Sequence, residues 1–334
     1  MRCARCGEAT DSDPCAVCGQ PALLDGRYRL DALVSEGAFG ALFRGTRLSD
    51  GIGVAIKEIP LRYRDGARTQ QLVTREARVL QELSHPQIPR FVDSFTVGEG
   101  RGRAAFIVQQ FVRGEDLASK VKRYSVDEVL DIVEELLPIL GYLHTRSPPV
   151  IHRDLKPANV IRSENGRLFL VDFGAVRDAL RDAQLGGSTV AGTFGFMAPE
   201  QLVGDASPQS DLYSLGALAI ALLTRKEPKT LLDHEQSMQW RSHAIVPEPV
   251  AAVLDALLSP NPSERPASAK DTQIRLQAAR RGVPQLPETT TDSSLVASQN
   301  SLRRFALGVA ASVGIAVIVA VINLTLLFIA MFVS

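Results

Sequence analysis

The sequence predicts an α+β protein of two lobes, a small strand-rich lobe followed by a larger helical one. A short cysteine module precedes them and one membrane-spanning helix follows. Three observations predict this. Between Tyr28 and Leu61 apolar and polar residues alternate with the period of strands. From Ser125 onward apolar residues recur at helical spacing. From Phe305 to Ser334 no charged residue interrupts a long apolar run.

The chain has 334 residues, which suggests about two domains. Lys and Arg number 37 and Asp and Glu 37, so the net charge is zero and no nucleic-acid partner is expected. The opening "MRCARCGEAT" lacks an apolar run and does not read as a signal peptide.

Four segments follow in order: a cysteine module at 1–20, a patterned region at 27–279, a linker at 280–304 and a span at 305–333. In the patterned region "YRLDALVSEGAFGALFRGTRL" reads as two strands around a glycine turn, and "GVAIKEIPL" as a third. "TQQLVTREARVLQELS" carries Leu72, Val73, Val79, Leu80 and Leu83 on one helical stripe. "AAFIVQQFV" is a further strand. Ser125 with Glu128 forms a capping box that starts the helix "VDEVLDIVEELLPILGYLHT". "LYSLGALAIALLT" is apolar nearly all round yet too short to span a bilayer, so it reads as a fully buried helix. The linker is rich in Ser, Thr and Pro and has little to bury.

A spanning helix needs about 20 apolar residues, and the final run exceeds that. A buried core helix is the competing reading. Arg303 and Arg304 precede the run, which places its N-terminal flank in the cytoplasm. The expectation is a single-pass protein of the cell membrane with its module and both lobes cytoplasmic and no outer domain. Gly308, Ala310, Ala311, Ser312 and Gly314 permit close helix approach, so a homodimer is a possible partner state.

The chemistry-bearing residues lie in the patterned region. Gly37 and Gly40, in "VSEGAFGAL", sit on a turn where backbone N–H groups can approach a phosphate. A plain hairpin turn is the bland alternative. Lys57 ends the apolar strand "VAIK" and needs an anionic partner. Glu76 in the following helix and the phosphates of ATP are the two candidates. "VIHRDLKPANV" places Asp154, Lys156 and Asn159 within one loop. A carboxylate there can accept a proton from an attacking hydroxyl, an ammonium can hold a transferred phosphoryl group, and an amide oxygen can help complete a Mg²⁺ shell. "LVDFGA" supplies a second carboxylate, Asp172.

The ordered set "GAFG", "VAIK", Glu76, "HRDLKPAN", "DFG" and "APE" resembles the eukaryotic-type protein kinases, over about residues 28–279. With its cysteine module and membrane anchor, the chain is similar to bacterial serine/threonine members. The resemblance implies a bilobal kinase fold that transfers the ATP γ-phosphate to protein Ser/Thr hydroxyls. Gly37, Gly40 and Leu42 would belong to the phosphate-covering hairpin. Val34, Ala55 and Ile161 would sandwich adenine, with Gln110 and Val112 offering it backbone groups and Gln109 behind. Lys57 would hold the α- and β-phosphates and pair with Glu76. Asp154 would orient or deprotonate the substrate hydroxyl, and Lys156 would steady the γ-phosphate. Asn159 and Asp172 would hold Mg²⁺, with Mn²⁺ as a substitute. Leu80, His152, Phe173 and Asp211 would form or anchor a column linking the lobes, and Glu200 with Arg265 would close the activation segment. Arg153 would read a phosphate on that segment, at Ser188 or Thr189, while Thr193 would contact Asp154. Ser35 replaces the first glycine of the usual loop, which implies a looser loop.

All four cysteines, Cys3, Cys6, Cys15 and Cys18, lie in "CARCGEATDSDPCAVCG". A reducing cytoplasm disfavours disulfides, and two Cys-x-x-Cys pairs suit tetrahedral Zn²⁺ as a structural ion. A redox dithiol is the alternative. The eight residues between the pairs are fewer than a ribbon usually has, which points to a minimal knuckle pair, an accessory to the kinase. The competing function is a catalytically weak or silent kinase fold that acts as a scaffold through this module.

Overall fold

The computed structural model describes residues 1–282 except residue 5 and segments 38–39, 62–65, 100–101, 120–123 and 174–193. The chain divides into units Met1–Pro284 and Gln285–Ser334, and the second lies outside the described residues. So do the expected span and its small-residue stripe. Among the described residues no helix is long and apolar enough to cross a membrane.

Strands β1 (Tyr28–Gly37), β2 (Gly40–Arg47), β3 (Gly53–Pro60), β4 (Phe91–Val97) and β5 (Ala104–Gln110) form one antiparallel sheet in the order β1-β2-β3-β5-β4. Helix α1 (Gly66–Glu82) lies between β3 and β4 in the chain. The strand period of two sorts side chains between two cores. On β5, Ala104, Phe106 and Val108 enter an outer cluster with Val54, Ile56, Tyr28 and Leu30. Ala105 and Ile107 face the other way, with Ile59, into the main core. That core continues through the helical lobe, so one apolar cluster spans both lobes.

The helical lobe comprises β6 (Gly114–Asp116), α2 (Val126–His144), β7 (Val160–Ser163), β8 (Leu168–Leu170), α3 (Pro199–Leu202), α4 (Pro208–Thr224), α5 (Glu248–Leu257) and α6 (Ala269–Arg280). β6, β7 and β8 make a small antiparallel sheet. The capping box at Ser125 and Glu128 forms as the sequence predicts: the Glu128 N–H donates to Ser125 Oγ at 3.2 Å, and the Ser125 N–H to Glu128 Oε2 at 2.7 Å. Helix α4 is buried on every side, as its apolar sequence requires.

The cysteine module is continuous with the small lobe. The Arg2 N–H donates to Leu30 O at 2.7 Å, forming an antiparallel bridge along β1. Ala4 packs against the outer cluster, and Leu24 is part of it. The sequence reading of a separate accessory did not foresee this junction.

Candidate active site and metal centre

Alternation on β3 turns Val54 and Ile56 outward and therefore leaves Lys57 on the inner face. Lys57 Nζ lies 3.2 Å from Glu76 Oε1 and 2.7 Å from Asp172 Oδ1. Glu76 is 3 % exposed on the stripe of α1 that packs into the core, so its charge is compensated at a buried position. Asp172 has φ +58, a left-handed conformation that non-glycine residues rarely adopt and that active sites often hold.

A second group gathers on the loop before β7. Lys156 Nζ donates to Asp154 Oδ1 and Oδ2 at 3.2 and 2.9 Å. Asn159 Nδ2 donates to Asp154 O at 2.7 Å and Oδ2 at 2.8 Å. The Val171 N–H donates to Asn159 O at 3.0 Å, which ties this loop to the segment after β8 that carries Asp172.

Asp211, completely buried on α4, shapes the loop from below. It accepts the backbone N–H groups of His152 (2.8 Å) and Arg153 (2.9 Å) and faces His144 Nε2 at 2.9 Å. Burial opposes its charge, but the His144 hydrogen bond and nearby donors hold its carboxyl below the usual range. Arg153 has φ +68, and its carbonyl accepts from Gln201 Nε2 at 2.8 Å. The rings of His152 and Phe173 lie 4.8 Å apart; Phe173 belongs with Leu80 to the main core, and His152 is wholly buried against it. Glu200 and Arg265 pair at 2.6 Å with the arginine side chain wholly buried, and Ser210 Oγ donates to Glu200 Oε1 at 2.7 Å.

The remaining predicted positions fall as follows. Leu42 pairs with Lys57 across β2 and β3, and Ala55 with Gln109 across β3 and β5. Val34 lies at a bulge of β1 and is 53 % exposed, and Ile161 pairs with Phe169 on β7. The Gln110 N–H is bonded to Arg90 O at 2.9 Å, while the Val112 N–H has no protein partner among the described residues. Gly37 and Gly40 close the β1–β2 hairpin. At Gly40, with φ +133, a Cβ would stand 1.8 Å from Glu58 O, so the close approach of β3 alone demands glycine there. Ser35 pairs with Leu42 inside β1. Ser188, Thr189 and Thr193 lie outside the described residues.

Sequence reasoning missed His144 and Gln201. A histidine eight residues before His152 and a glutamine directly after Glu200 were the available signals.

The four cysteine sulfurs lie within 4.8 Å of one another, with Cys3–Cys18 and Cys6–Cys15 each at 3.8 Å. A tetrahedron with metal–sulfur bonds of about 2.3 Å has edges of about 3.8 Å, so the set fits Zn²⁺. The two pairs share one turn: the Gly7 and Gly19 N–H groups donate to Cys3 O (3.0 Å) and Cys15 O (2.8 Å), with both glycines at positive φ. The Cys18 N–H leads in pulling the Cys15 thiol down to about 6, against burial, with Val17 and neighbouring thiols adding to it.

A profile described as the protein kinase domain matches residues 28–275. Serine/threonine-protein kinase F of Synechocystis sp. is 33 % identical over 84 % of this chain and 61 % of its own length. Serine/threonine-protein kinase PknA of Nostoc sp. is 35 % identical over 80 % of this chain and 49 % of its own. The chain thus spans about half to three fifths of the length of these curated relatives. Among solved structures, the Mycobacterium tuberculosis PknI kinase domain superposes with TM-score 0.58 at 24 % identity, over 75 % of this chain and 95 % of that one. PpkA-294 in its apo form gives TM-score 0.61 at 22 % identity, over 75 % and 96 %. These two likenesses concern the fold. From the matched span and the identity to its relatives, the chain belongs to the protein kinase domain family.

Proposed function

We propose that the chain is a membrane-anchored serine/threonine protein kinase that transfers the γ-phosphate of ATP to protein hydroxyls. The observation that carries this reading is the double ion pair of Lys57 with Glu76 and Asp172, beside the Asp154–Lys156–Asn159 group. Its relatives named as serine/threonine kinases support the substrate class. Lys57, steadied by Glu76, holds the α- and β-phosphates. Asp154 orients the attacking hydroxyl and takes its proton, and Lys156 stays with the transferred group.

Asn159 and Asp172 suit Mg²⁺. Both Asn159 N–H bonds go to Asp154, which leaves the amide oxygen for a hard cation, and Asp172 adds a carboxylate. When bound, Mg²⁺ neutralises phosphate charge. Val34, Leu42, Ala55 and Ile161 form the adenine walls, and the Val112 N–H is a donor for the base edge. The four cysteines hold Zn²⁺, which supplies folding free energy to a module with almost no other core.

Full-length protein incubated with labelled ATP and Mg²⁺ is expected to label itself or an added protein. Asp154→Ala should lower the rate by about 10²–10⁴-fold. No labelling from folded protein would favour the silent-scaffold reading. The anchor is tested by fractionation: the full chain should sediment with membranes, and a chain ending at Leu302 should not. Phosphopeptide mapping that finds neither Ser188 nor Thr189 modified would exclude the expected activation-segment sites.

A further inference from the structure

β1 is an edge strand of the five-stranded sheet, and its free edge is where the cysteine module attaches. The attachment straddles one metal-ligand candidate. Cys3 lies between Arg2, whose N–H bonds to Leu30 O, and Ala4, which packs on the outer cluster of the small lobe. The second pair repeats the turn without the contact: Ala16 follows Cys15 as Ala4 follows Cys3, yet Ala16 is exposed. The module's own core is little more than Cys3, Cys15 and Ala22, with Met1 and Cys18 against it. Ordering some twenty residues loses conformational entropy that so small a core cannot offset, so the segment's order depends on the sulfur centre. Leu30 stands four positions before Val34, on the strand that leads into the glycine hairpin.

We propose that the metal-bound first knuckle is a positioning element for the nucleotide site. By bridging and covering β1, it holds the strand that roofs ATP, and loss of the metal or of the junction loosens that roof. The proposal rests on the kinase and zinc readings above. The bridge is one backbone hydrogen bond with a small apolar contact, so its loss should weaken nucleotide affinity about two- to tenfold. Residues of the catalytic loop, anchored in the helical lobe, should keep their rate constant.

The test uses the full chain in three forms beside the wild type: Ala4→Asp, Ala16→Asp and metal-stripped protein. Ala4→Asp drives a carboxylate into the junction while keeping all four sulfurs, and Ala16→Asp makes the same change on the exposed knuckle. Metal content, hydrogen exchange over residues 28–37, and Kd for a fluorescent ATP analogue are measured for each. The expected result is about one zinc per wild-type chain, with faster exchange and weaker binding in Ala4→Asp and the stripped protein. Ala16→Asp should match the wild type, and in phosphotransfer assays KM for ATP should rise while kcat holds. Metal-loaded wild type whose β1 exchange and ATP affinity survive both stripping and Ala4→Asp overturns the proposal and leaves the zinc reading standing. Wild type purified without chelator that carries no metal overturns both. An equal effect of Ala16→Asp also overturns the proposal, because the action would then not pass through the junction.

Discussion

His152 is wholly buried, and its surroundings suit a neutral ring. Its Nε2–H donates to Val171 O at 3.1 Å, and its Nδ1 faces the Asp154 N–H at 3.4 Å. A second proton would set a donor against a donor. Burial accordingly pushes its pKa below the ordinary 6.5, although Asp211 and Asp154 pull the other way. His85 shifts in the same direction, also by burial. With folded values below unfolded ones, the unfolded chain takes up protons first as pH falls. Stability is therefore full above about pH 6.5 and declines as pH drops below it. The urea midpoint should be lower at pH 5.5 than at 7.5, and His152→Phe should flatten that slope. The Glu200–Arg265 pair has a different weakness. Arg265→Met would strand Glu200 in a nearly closed site, and breaking such buried pairs costs about 3–5 kcal/mol. Equilibrium unfolding should show a loss of that order. His152, Glu200 and Arg265 were legible because they stand in short motifs. His144 was not, because its partner Asp211 lies 67 residues further along and only the fold brings them together.

Helix α1 carries Glu76 in its middle, so its placement decides whether Lys57 is reached. The turn that follows it is clamped to the helical lobe. Gln87 Nε2 donates to Glu135 Oε1 at 2.8 Å and to Leu168 O at 3.1 Å, and the Leu168 N–H shares the same Glu135 oxygen at 2.8 Å. Tyr142 Oη accepts the Ser84 N–H at 2.7 Å. Glu135→Ala would leave two donors without their acceptor, a loss of about 1–3 kcal/mol in urea unfolding. Glu135→Gln keeps an acceptor oxygen and should recover most of it. Nucleotide affinity should follow the same order if α1 drifts when the clamp opens. Helices α1, α2 and α4 announce themselves through long periodic stripes or a cap. β4 and the short strands β6, β7 and β8 were not read, because three to seven residues with mixed burial carry little periodicity of their own. The cysteine pairs were legible as ligands, whereas their junction was not. A backbone bridge from Arg2 to Leu30 has no side-chain signature.

The main core runs from Ile59 and Ile107 in the sheet through α2 to α4 and α6, so the two lobes share one apolar interior. Such continuity predicts a single cooperative unfolding transition for residues 1–282. Trp240, the only tryptophan, is 1 % exposed and donates from Nε1 to Asp255 Oδ1 at 2.7 Å, so its fluorescence reports the helical lobe. Circular dichroism and Trp240 emission should give superimposable urea curves, and separated curves would show that the lobes melt apart. The outer cluster is a second, smaller interior on the far face of the sheet, and the cysteine module seals part of it. At this scale the hold of Asp211 on the His152 and Arg153 amides acquires a temporal meaning. The loop that bears Asp154 takes its shape from α4, the helix enclosed on all sides. A nascent chain whose helical interior has not yet closed therefore lacks the hold that shapes the Asp154 loop. On the kinase reading proposed above, phosphoryl transfer should start only once assembly is complete, and in a refolding time course the first labelled product should not precede the burial of that interior.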